Sequence, residues 1–106
     1  MHCTFCAIVA RVEPATIRYE DEEVLVFDNL LRWAPVMLLV IPKRHLSQEE
    51  LWQDLAPVAR VAVQMGQRYC PEGFRLLSNF GPHALQTQSH GHLHVVGGAH
   101  LGRYAS

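Results

Sequence analysis

His90, His92 and His94 occupy every second position of the segment His90-Gly91-His92-Leu93-His94. Alternate side chains of a strand share a face. The three imidazoles therefore form one row, and Gly91, Leu93 and Val95 form the opposite, core-facing side. Imidazole changes charge near neutral pH and binds metals, so such a row suits proton or group transfer as well as metal ligation. The plainer alternative is a polar strand face that is merely rich in histidine. Clustered histidine is more often put to chemical use.

A second set of reactive residues is Cys3-Thr4-Phe5-Cys6. A Cys-x-x-Cys pair can hold two corners of a tetrahedral zinc site, which two histidines would close. The competing redox reading expects a strand before the pair in a βαβ unit, and no such pattern is present. Of the 7 histidines, His2 and His100 lie near the ends and read as exposed. His45 follows a strand and immediately precedes a helix cap, so backbone structure holds its position and makes it the better ligand. Asn79, Gln86, Thr87 and Ser89 line the approach to the histidine row and can bond a phosphate, although such residues more commonly brace turns. Neither a Walker loop nor a dinucleotide fingerprint occurs. Residue chemistry alone leaves a phosphoryl-transfer site and a metal site both open.

The elements that must position these groups are legible in outline. The chain has 106 residues, the size of one ordinary domain, and residues 1–106 read as a single unit. It is 49% hydrophobic with a formal net charge of -1. That composition supports a core, and it gives no electrostatic support for nonspecific binding to a nucleic-acid polymer or a membrane surface. The most apolar run, Val36 to Ile41, lies between Pro35 and Pro42; it is too short to span a bilayer and fits a buried strand. Three cysteines with no leader-like segment imply a reducing, cytosolic setting.

Phe5 to Arg11 suits a short helical turn, ended at Glu13-Pro14. Thr16 to Glu20 and Val24 to Asp28 read as strands joined by an acidic turn. Ser47 and Glu50 form a capping box flanked by a Leu46–Leu51 staple, and helical spacing runs on to Tyr69. Pro57 inside that pattern predicts a kink or two helices meeting. Cys70-Pro71-Glu72-Gly73 ends the helix, and Cys70 reads as a small buried residue. Phe74 to Ser78 is a fourth strand, the histidine segment a fifth, and Gly97-Gly98 its end. The expectation is an α+β domain with about five antiparallel strands and helices on one face.

His90-Gly91-His92-Leu93-His94-Val95-Val96 resembles the His-φ-His-φ-His-φ-φ signature of the histidine triad family of nucleotide hydrolases and transferases. The resemblance spans nearly the whole chain: Cys3-Thr4-Phe5-Cys6-Ala7-Ile8, Phe27-Asp28-Asn29, Ala34-Pro35, Val40-Ile41-Pro42-Lys43-Arg44-His45, Asn79-Phe80-Gly81 and Ala84-Leu85-Gln86-Thr87. It implies that His92 is the nucleophile at the α-phosphate of a nucleotide conjugate. By the same resemblance His94, Gln86 and Thr87 contact the phosphate or leaving group, and Asn79 a phosphate or ribose. Cys3, Cys6, His45 and His90 would hold a structural zinc, and the partner would be a second copy of the chain. Asn29 stands where many members carry a ribose-binding aspartate. Asp28 is one position early, and one position flips the strand face. Gly91, Leu85 and Gln88 also depart from the family pattern. Two other functions follow from the same residues: a nucleotide-binding module with little turnover, and a hydrolase with catalytic zinc on His90, His92 and His94.

Overall fold

The computed structural model describes residues 2–103. Five strands form one antiparallel sheet: β1 (Ile17–Glu20), β2 (Val24–Asp28), β3 (Val36–Pro42), β4 (Phe74–Leu77) and β5 (Leu93–Gly97). Their spatial order is β1-β2-β3-β5-β4. The last strand thus inserts between β3 and β4, with Val95 opposite both Leu38 and Leu76.

Three α-helices accompany the sheet: α1 (Thr4–Val9), α2 (Gln48–Gln53) and α3 (Ala56–Tyr69). Val24 and Val26 of β2 and Leu38 and Val40 of β3, with Leu93 and Val95, pack against Leu51 of α2 and Val58, Val61, Ala62 and Met65 of α3. As expected, these two helices share one face. On the other face Leu25, Phe27, Leu39 and Ile41 meet Phe5 and Ile8 of the short α1. β2 and β3 are therefore covered on both sides, which explains why they read as unbroken apolar runs and not as alternating strands. None of the helices among the described residues is long and apolar enough to cross a membrane.

The capping box forms at the start of α2. The Ser47 hydroxyl accepts from the Glu50 N–H at 3.1 Å, and the Glu50 carboxylate accepts from the Ser47 N–H at 2.8 Å. Pro57 falls in the first turn of α3, where proline costs no helical hydrogen bond. The chain accordingly breaks into two helices and does not kink.

One difference from expectation concerns the histidines. β5 begins only at Leu93, so His90, Gly91 and His92 precede the strand. The cause is the loop before α2. It takes the Gly91 N–H onto the Leu46 carbonyl at 2.6 Å, in place of a ladder bond to β3. A side chain at Gly91 would bring its Cβ to 2.8 Å from the Ser47 carbonyl and 3.0 Å from Leu51. The absence of an apolar residue between the first two histidines thus reflects how closely α2 approaches.

Candidate active site and metal centre

α1 begins at a cysteine for a local reason. Cys3 is its N-cap, and its sulfur accepts from the Cys6 N–H at 3.4 Å. One helical turn brings the second thiol alongside the first. His45 arrives from the turn after β3, and His90 from the segment before β5. The Cys6 sulfur lies 3.3 Å from His45 Nδ1 and 3.5 Å from His90 Nδ1, and the Cys3 sulfur 3.6 Å from His90 Nδ1. All four ligand atoms lie within 4.8 Å of one another. In a tetrahedron with zinc–sulfur and zinc–nitrogen bonds of ordinary length, neighbouring ligand atoms stand about 3.3–3.8 Å apart. The donor set and its spacing fit zinc. His90 also donates from Nε2 to the Pro42 carbonyl at 2.7 Å, which leaves the Nδ1 lone pair for the metal. Burial, then the adjacent Cys3 thiol, pushes the Cys6 thiol up. A bound cation would reverse that shift by stabilising the thiolate.

His92 and His94 stand outside this cluster. The three histidines therefore do not converge on one ion, which removes the catalytic-zinc arrangement. His92 donates from Nδ1 to the His90 carbonyl at 2.8 Å. That bond fixes the tautomer with the lone pair on Nε2. Phe5 packs edge-on against the His92 ring at 5.3 Å and the His90 ring at 5.9 Å. The rings of His92 and His94 meet at 5.0 Å. Burial lowers the pKa of His92, against the opposing effect of the His90 carbonyl. Burial, helped by His92, pushes His94 down to about 4. Both rings are neutral near pH 7. Among the described residues nothing hydrogen-bonds to the buried His94 Nε2.

A cavity of about 260 Å³ opens beside these two rings. Phe5, Ile8, Phe27 and Leu39 give it apolar walls; Asn29, Thr87, His92 and His94 give it polar ones. A larger cavity of about 580 Å³ lies beyond the other end of β5, between the end of α3 and residues 98–102. Its histidine, His100, spends Nδ1 on the Gly102 N–H, so the paired imidazoles make the smaller cavity the chemical one.

The remaining expected residues divide. Asn29 and Thr87 reach the cavity wall; Gln86 and Asn79 do not. Gln86 accepts from the Gly81 N–H at 2.8 Å and donates to the Gln88 carbonyl at 3.0 Å, so it braces its own loop. Asn79 lends its backbone carbonyl to Gln48 at 3.2 Å. The Asp28 carboxylate is held by Arg18 at 2.7 and 2.8 Å and by Arg32 at 2.8 Å. Arg18 beside it keeps that carboxyl well below the usual range. Gln48, fully buried at the first position of α2, was not legible as a site residue. A glutamine there ordinarily faces water, and only its burial singles it out.

The HIT domain pattern matches residues 10–101. The chain is 38% identical to an uncharacterized HIT-like protein of Synechococcus elongatus, over 92% of this chain and 90% of that one. A HIT family hydrolase from Clostridium thermocellum superposes with a TM-score of 0.85 at 36% identity, covering 95% of this chain and 94% of the other. A Zn-bound histidine triad family protein from Mycobacterium smegmatis superposes with a TM-score of 0.75 at 33% identity, covering 98% and 79%.

Proposed function

The chain belongs to the histidine triad (HIT) family, and from that premise we propose that it is a hydrolase or nucleotidyl transferase acting at the α-phosphate of a nucleotide conjugate. The observation that carries this reading is the bond from His92 Nδ1 to the His90 carbonyl. It holds a neutral imidazole, with Nε2 unprotonated, at the wall of a cavity with apolar sides.

In the proposed reaction the His92 Nε2 lone pair attacks the α-phosphorus. A nitrogen–phosphorus bond forms as the bond to the leaving group breaks, and the leaving group departs with a proton drawn from solvent, which the water of the second step gives back. Water then attacks the same phosphorus, the nitrogen–phosphorus bond breaks, and His92 returns neutral while a nucleoside monophosphate is released. Splitting one displacement into two in this way is the general gain from a covalent intermediate. His94 and Thr87, which line the same cavity, would contact the phosphate. Asn29, and the apolar walls of the cavity, would take the nucleoside. Zinc on Cys3, Cys6, His45 and His90 supplies rigidity to the segment that carries His92. A single domain of residues 1–106, a cytosolic setting that keeps the thiols reduced, and a second copy as partner complete the proposal.

The test compares two neighbouring histidines. His92→Ala should abolish turnover of an adenylate conjugate and keep nucleotide binding and zinc. His90→Ala should lose zinc and fold stability. Quenching the wild-type reaction within its first turnover should yield an acid-labile nucleotide adduct by mass spectrometry. Full activity in His92→Ala refutes the mechanism. Nucleotide affinity without turnover in the wild type points to a binding module instead, a reading that the amide at Asn29 favours.

A further inference from the structure

The peptide that carries His92 has no sheet partners at its start, because β5 begins one residue later. Its polar groups are satisfied from elsewhere. The His92 N–H donates to Gln48 Oε1 at 3.0 Å. The His92 carbonyl accepts from the Ser78 hydroxyl at 2.6 Å. Each bond ties the residue to α2. Gln48 is the first residue of that helix. Ser78 in turn accepts from the Trp52 indole N–H at 3.2 Å, and Trp52 lies four residues beyond Gln48, on the same side of the helix. Gln48 Nε2 donates to the Asn79 carbonyl at 3.2 Å, so one fully buried amide joins α2, the nucleophile's backbone and the start of the loop that carries Thr87.

We propose that Gln48 and Ser78 form a two-point clamp on the His92 peptide that sets the aim of its Nε2. The proposal rests on His92 as the reacting nitrogen. The ring is oriented by a bond to the carbonyl of His90, two residues back in the same irregular segment. Its direction is only as fixed as the backbone around it. An isolated extended segment would let that peptide rotate; a helix anchored on both its N–H and its carbonyl does not. A bulk-only role for Gln48 would need neither of its two hydrogen bonds. Both are made, with the carbonyl oxygen of the amide on the donor and its nitrogen on the acceptor. Gln48 and Ser78 are positioning residues: they act on the substrate through His92.

The experiment uses the zinc-loaded full chain and adenosine 5′-phosphoramidate as probe. Gln48→Met keeps the side-chain length and removes both hydrogen bonds; Ser78→Ala removes the second anchor, and Ser78→Thr restores it. The expected result is a ten- to hundredfold lower kcat in Gln48→Met and in Ser78→Ala. KM should stay within threefold and zinc at one per chain, and Ser78→Thr should recover most of the rate. In nitrogen-15 spectra His92 should show one neutral tautomer, protonated at Nδ1, in the wild type and a mixture in the two clamp variants. Unchanged kcat and an unchanged His92 spectrum in folded Gln48→Met overturn the clamp. If Gln48→Met does not fold, the same two results in Ser78→Ala overturn it. A wild type inactive on the phosphoramidate counts against the proposed function and not against the clamp, which the His92 spectrum then decides alone.

Discussion

His92 Nδ1 lies 2.8 Å from the carbonyl oxygen of His90, so the backbone of a residue in the zinc cluster holds the ring of the proposed nucleophile. The ligand ring is pinned at both nitrogens, by the thiols on one side and the Pro42 carbonyl on the other. Metal geometry at His90 therefore reaches His92 through two peptide units and one hydrogen bond.

Removing one thiol should undo this arrangement from its base. Cys3→Ser is expected to lose zinc and stability together, because a structural zinc contributes its binding free energy to folding. Metal analysis and thermal melting of the purified variant check it. A variant that retains one zinc per chain with an unchanged midpoint would show that Cys3 is not a ligand.

The cavity wall carries an amide at Asn29, where a carboxylate would make a stronger acceptor. Asn29 Oδ1 now accepts from the Leu31 N–H at 3.1 Å, a bond that an aspartate would keep. Asn29→Asp should bind adenosine monophosphate roughly tenfold tighter, about 1.4 kcal/mol, through a charge-assisted bond to the ribose. Calorimetry on both proteins measures it, and equal affinities would mean that Asn29 does not face the sugar.

Stability should fall with acid partly through His94. In the unfolded chain its ring protonates near the ordinary histidine value; in the folded protein burial holds it down to about 4. Between those values the unfolded state binds more protons, so stability is full above about pH 6.5 and declines as pH drops toward 4. His94→Gln should flatten that decline relative to wild type. Urea titrations at several pH values compare the two chains, with acid release of zinc common to both. Parallel curves would show that His94 does not contribute.

Gly91 should not tolerate even a methyl group. Its added Cβ would meet the Ser47 carbonyl at 2.8 Å and Leu51 at 3.0 Å, so α2 or the histidine segment must shift. Gly91→Ala is expected to cost about 1–3 kcal/mol, the usual range for overpacking a tight contact, and to slow turnover by displacing His92. Denaturant melts and kcat test this, and a wild-type midpoint would mean that the segment yields freely.

Local sequence determined what local sterics and periodicity control. Ser47 and Glu50 announce a helix start because a capping box needs only four residues. Cys3 and Cys6 announce paired ligands because one helical turn brings them together. The alternation around Leu93 and Val95 identifies the core face of β5. Asp28 ends β2 and Asn29 follows it; both border the cavity, but the Asp28 carboxylate is spent on Arg18 and Arg32. The tertiary structure alone decided which polar groups are spent and which are free. Gln86 looked available for phosphate, yet it braces Gly81 and Gln88. Nothing in the local pattern marks Gln48, yet it holds His92 across 44 residues of chain. His90 and His92 carry the same side chain two positions apart. One faces a thiol 84 residues away, and the other turns to a backbone carbonyl. Hydrogen bonds between distant segments depend on how the sheet and α2 pack, and no local pattern encodes that packing.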